Sequence, residues 1–227
     1  MAKTDDNGTP KTIKARVAEG LHKYWKSIIY VLIGIVIIVA VLAVYTVVKE
    51  RKIEAGTAIA EELQENFVLW QNGDEDKRSE LESGINDQIE NITSDFSGTF
   101  AHQRALMIEG NMAWEKEQWD DAVLAFEEIS RRYPKSYLAP VALMNQAATL
   151  EESGKGKEAV EVYQKVVENY SSVSPDAPRA LFSIARLYET TGQEEAAFGA
   201  YQEVIDTFPD SDWTKLARDR IIYLETR

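Results

Sequence analysis

The chain has 227 residues, a formal net charge of −13, no cysteine and two histidines. Without cysteine it can hold no disulfide framework, thiolate zinc site, iron–sulfur cluster or thiol nucleophile, and it cannot be a bacterial lipoprotein. Charged residues at 28% and aromatics at 10% fit neither a disordered low-complexity polymer nor a fully membrane-embedded chain, and the length suits one soluble domain plus an appendage.

The first twenty residues, with Gly8 and Pro10 among scattered charges, read as disordered. Residues 27–48 then run for 22 positions without a charge. As a helix that stretch reaches about 33 Å, enough for a hydrocarbon core of about 30 Å. Tyr24, Trp25 and Tyr30 stand at one end and Tyr45 near the other, where amphipathic rings favour the headgroup layer. The apolar part of a cleaved secretory signal is only about 7–15 residues long and ends in small residues. Here Lys49, Glu50, Arg51 and Lys52 follow directly, so the segment reads as an uncleaved anchor in the lipid bilayer.

Lys11, Lys14, Arg16, Lys23 and Lys26 precede the span, against Lys49, Arg51 and Lys52 after it. Cations are retained on the cytoplasmic side. The balance makes residues 1–26 the short cytoplasmic tail of a single-pass protein and sends the large C-terminal domain into the periplasm or its equivalent. Residues 1–48 carry six Lys/Arg and three Asp/Glu, a net +3, which leaves −16 on residues 49–227. Such a field repels phosphate backbones, so no nucleic-acid partner is expected.

Between the span and Trp70 the only breaker is Gly56, which predicts one helix from about residue 23 to residue 71. Ala60, Leu63, Phe67 and Trp70 form an apolar stripe at helical steps. Asn72-Gly73-Asp74 then signals a turn, and Leu81, Ile85, Ile89 and Ile92 form a second stripe. Residues 49–96 therefore read as a helical hairpin, a degenerate repeat covering the open end of a helical stack in residues 97–227.

Residues 97–227 repeat themselves. Ala122, Phe126, Ile129 and Pro134 stand at intervals of four, three and five; Ala159, Tyr163, Val166 and Ser171 follow the same intervals, and so do Ala197, Tyr201, Val204 and Pro209. Upstream come Leu106 and Gly110, Leu143 and Ala147, then Leu181 and Ala185. Gly154 and Gly192 lie five residues before their alanines, where Glu117 stands in the first copy. Small residues at Gly110, Ala122, Ala147, Ala159, Ala185 and Ala197 let paired helices approach, and a proline ends a helix that it cannot continue. Pro140 and Pro178 fall where the next helix should begin, a place proline tolerates. Residues 213–225 read as a capping helix, with Asp212 as its N-cap.

This pattern resembles the tetratricopeptide repeat, a helix–turn–helix unit of 34 residues that stacks into a solenoid, here spaced by 37 and 38. The expected fold is all-α: one N-terminal transmembrane helix, a degenerate hairpin, about three repeats and a C-terminal cap. In layout the chain resembles the YfgM-like family of inner-membrane repeat proteins, ancillary to the SecYEG translocon. That resemblance implies translocon components, emerging secretory chains or periplasmic chaperones as partners.

No active site is legible. His22 and His102 lie some eighty residues apart without ligand-spaced partners, and no nucleophile elbow, phosphate loop or zinc-protease motif occurs. The chain reads as a non-enzyme with no metal and no cofactor. Repeat alignment instead places Arg104, Met107, Asn111 and Trp114 of the first copy on the concave face. Met144 and Asn145 of the second copy join them, with Arg179, Phe182, Arg186 and Glu189 of the third. This mixture of apolar area, amides and guanidinium groups suits proteins or extended peptides. Met144 and Phe182 fit a packed core equally well. Asn111, Asn145 and Arg179 match places used by repeats that clamp a C-terminal carboxylate, whereas Met107 and Ser183 replace cations of that clamp. The alternative function is structural: dimers or rings assembled through the long juxtamembrane helix or the Trp70 stripe.

Overall fold

The computed structural model describes residues 13–226, among which there are nine helices and no strand. They are α1 (Ile13–Gln71), α2 (Glu75–Asp95), α3 (Phe100–Glu115), α4 (Trp119–Arg132), α5 (Leu138–Glu152), α6 (Gly156–Tyr170), α7 (Ala177–Thr190), α8 (Glu194–Thr207) and α9 (Asp212–Glu225). Two compact units divide the chain, Met1–Lys52 and Ile53–Arg227.

In the first unit the helix already begins at Ile13, inside the stretch expected to be disordered. Between Pro10 and Gly20 nothing in the sequence interrupts a helix, so the apolar span propagates backwards; residues 1–12 of that expectation lie outside the described residues. The helix is long and apolar enough to cross a membrane, and no residue of its most apolar window is buried. The Thr46 hydroxyl donates to the Ala43 carbonyl at 2.8 Å, satisfying a group that would be costly in hydrocarbon.

In the second unit the two apolar stripes meet. Ala60, Leu63, Phe67 and Trp70 bury against Ile85, Ile89 and Ile92, and Ala101, Ala105, Ile108 and Met112 of α3 close the cluster. Asp74 caps α2 by accepting from the Lys77 amide at 2.9 Å. The guanidinium of Arg78 lies 4.9 Å from the centre of the Trp70 ring, and Asn66 donates to Gln88 at 3.1 Å. Trp70 is 2% exposed. The stripe considered as a dimer surface is therefore spent inside the hairpin.

From α3 onward each helix packs on the next, as a solenoid requires. The small residues stand where backbones cross: Ala122, Ala147, Ala159, Ala185 and Ala197 are fully buried. At Gly110 a methyl group would lie 2.6 Å from the Phe126 ring, so only hydrogen fits. The three turns inside the helix pairs share one hydrogen-bond pattern. The amides of Gln118, Lys155 and Gln193 reach back to the carbonyls of Ala113, Leu150 and Tyr188 at 2.8–2.9 Å, closing a left-handed C-cap each time. At the end of the stack Ser211, rather than Asp212, caps α9 by accepting from the Trp213 amide. Asp212 is the first helical residue and pairs with Lys215 at 2.8 Å.

Candidate functional site

First helices approach one another directly, α3 to α5 and α7 to α9, and the second helices make no comparable approach. These approaches set α3 beside α5 and α7 beside α9 along one face of the stack, termed the inner face. On α3, Phe100, Arg104, Met107, Asn111 and Trp114 recur at steps of four and three and so share one face. Together with Gln64 and Phe67 of α1, Tyr137, and Leu138 of α5, the first four border an open groove of about 360 Å³. Phe100 and Tyr137 form its rim, with ring centres 5.6 Å apart. They are 41% and 70% exposed. Asn145 closes the next part of the face, its side-chain amide 3.5 Å from the Met107 sulfur.

The remaining expected residues are distributed differently. Met144 is 3% exposed and belongs to the core, because its place on α5 points between helices instead of into the groove. Phe182 is wedged between Tyr201 and Trp213, with ring centres 5.3 and 5.1 Å away. Arg179 pairs at 3.2 Å with Asp176, the N-cap residue of its own helix.

Arg186 and Glu189 take part in two equivalent latches between successive helix pairs. In one, the Tyr163 hydroxyl donates to Glu151 Oε1 at 2.7 Å while Arg186 donates to Glu151 Oε2. In the other, the Tyr201 hydroxyl donates to Glu189 Oε2 at 2.9 Å, and Arg220 of α9 grips both oxygens of the same carboxylate. The carboxylates lie deep, with side chains 16% and 11% exposed. Burial, reinforced by the neighbouring carboxylate, drives the Tyr163 phenol well above its ordinary range and pushes Tyr201 up to about 12. Both tyrosines therefore remain donors at any ordinary pH. Each carboxylate is thus met by a phenol donor and a guanidinium.

Residues 104–136 match the tetratricopeptide repeat family, and so do residues 138–210. No curated protein is similar enough to the chain to count as a relative. Tetratricopeptide repeats indicate a protein–protein interaction scaffold, and repeat proteins of this kind are generally not enzymes. Among the described residues, no group of three His, Asp or Glu could hold a metal ion.

Glu151, Tyr163, Tyr201 and Arg220 were not among the expected site residues, although the Glu–Tyr spacing of twelve recurs in repeats two and three. That recurrence was the available signal. Phe100 and Tyr137 were overlooked because they lie at helix starts, outside the positions that define the repeat.

Proposed function

We propose that the chain is a single-pass membrane protein whose tetratricopeptide domain lies outside the cytosol and holds proteins or extended peptides on its inner face. The carrying observation is the 22-residue uncharged run with its excess of cations on the N-terminal side, set before repeats rather than before a catalytic domain. Tethering confines the groove to the membrane surface and raises its effective concentration for clients handled there. The YfgM-like layout points to translocon components, emerging secretory chains and periplasmic chaperones as those clients. Within the groove, Arg104, Asn111 and Asn145 supply polar recognition; Met107 and Trp114 supply apolar contact area.

Two measurements test this reading. Protease added to spheroplasts should digest the repeat domain and spare the N-terminal tail; a protected domain would discard the extracytoplasmic assignment and every client named with it. A photoreactive residue at position 145 should capture protein partners, and a probe on the outer face at Leu124 should not. Equal capture from both positions would reject the groove.

A further inference from the structure

The three repeats differ at places that the fold brings together. The position held by Glu151 in the second repeat and Glu189 in the third is Trp114 in the first. That of Tyr163 and Tyr201 is Phe126, and that of Arg186 is Ala148, one repeat earlier. The latch is thus missing at the first junction as a complete set: no carboxylate stands there without its donors, and no donor without its carboxylate. In the next junction Arg186 closes over Glu151. At the first one, Ala148 offers only an exposed methyl, and Trp114 remains 40% exposed.

We propose that the exposed surface at Trp114 and Ala148 receives an arginine or lysine side chain of an extended partner segment, so that the domain selects basic segments. This rests on the reading of the inner face as a protein-binding groove. Indole has the strongest quadrupole of the aromatic side chains and is the preferred seat for a cation. The Trp119 ring, edge-on at 6.1 Å, holds this indole in place. The cations flanking this end of the helices are already neutralised, Lys116 by Glu82 and Lys155 by Asp120. Arg104 lies ten residues away on α3, about 15 Å along the helix. The charge of −16 on residues 49–227 steers basic segments toward the domain and repels acidic ones. Asn111 and Asn145 stand about one helical turn before Trp114 and Ala148, with donors and acceptors for an extended backbone.

The test uses the full chain in zwitterionic nanodiscs and fluorescence anisotropy with three nine-residue Gly/Ser peptides carrying Leu-Arg-Leu, Leu-Gln-Leu or Leu-Glu-Leu at the centre. The Arg peptide should bind about tenfold tighter than the Gln peptide, and the Glu peptide weakest. Trp114→Leu should bring the Arg peptide down to the level of the Gln peptide. The combined variant Trp114→Glu, Phe126→Tyr, Ala148→Arg builds a third latch. It should keep or raise the melting temperature while abolishing the preference for arginine. A preference that survives the rebuilt latch, or a Glu peptide that binds best, overturns the proposal. Equal binding of Arg and Gln peptides that Asn145→Ala weakens also overturns it, yet leaves the groove reading standing. If none of the three peptides binds, the basic-segment proposal falls; the groove itself falls only if crosslinking from position 145 also captures nothing.

Discussion

Glu117 and Gly154 hold the same left-handed backbone conformation at equivalent turns of successive repeats, with φ of 57° and 75°. Only glycine adopts this region without steric cost, since a Cβ there crowds the backbone by roughly 1–2 kcal/mol. The turn at Gly192, φ 74°, is the third of the set. The fold keeps the turn at Glu117 because the helices on either side fix it. Glu117→Gly should therefore stabilise the domain by about 1 kcal/mol, and Gly154→Ala should destabilise it by a similar amount. Urea unfolding followed by circular dichroism checks both; an unchanged midpoint for Glu117→Gly would show that the turn is unstrained.

Gly110 and Gly84 give opposite expectations for one substitution. An alanine methyl at 110 would lie 2.6–2.8 Å from three atoms of the Phe126 ring, whereas at Gly84 it would meet nothing within 4 Å. Gly110→Ala should cost about 1–3 kcal/mol by overpacking, and Phe126→Leu in the same chain should recover part of it. Gly84→Ala, inside α2, should gain about 0.5–1 kcal/mol. The same unfolding measurement decides, and a harmless Gly110→Ala would refute the close crossing.

The Glu151 latch makes its members interdependent. Tyr163→Phe removes one donor and should cost about 1 kcal/mol. Arg186→Met leaves a carboxylate whose side chain is only 16% exposed without its cation, and should cost about 1–3 kcal/mol. In a double-mutant cycle the two effects should couple by at least about 0.5 kcal/mol. Strict additivity would mean that the three groups do not act as a unit.

Acid should weaken the domain through His102. Its Nδ1 lies 2.8 Å from the Tyr133 hydroxyl, which also accepts from the Gly98 amide at 3.0 Å. Burial, then the nearby Arg132, holds this histidine below its ordinary value, against an opposing pull from Glu128. The unfolded chain therefore takes up the proton first, and stability is lost as pH falls below about 6.5. His102→Asn keeps an acceptor for Tyr133 and removes the titration, so its stability should vary less between pH 7 and pH 5. An identical slope in the variant would clear His102 of the effect.

Alkali should act through Tyr201. Its phenol, raised to about 12 in the folded chain, ionises near 10 once unfolded. The stabilisation is complete below about pH 10 and is lost as pH climbs through the folded value. Absorbance at about 295 nm should show late-titrating tyrosine that Tyr201→Phe diminishes; tyrosines that all titrate near 10 would mean the phenol is neither buried nor held by Glu189 in the folded chain.

The helical hairpins, their small-residue crossings and the period of the stack were legible in the order of residues, because each depends on local periodicity and on volume at one crossing. So was the apolar stripe ending at Trp70, whose partner stripe comes one turn later. The destiny of the inner-face side chains was not. Arg186 is the equivalent of Ala148, yet it is engaged because Glu151 comes within reach only when two repeats stack with a particular offset. Phe182 likewise packs against the core because the capping helix brings Trp213 over it. Partners about 35 residues apart meet through the rotation between successive helix pairs, a property that no single repeat encodes. The stacked structure alone decides which charges pair internally and which part of the face remains open.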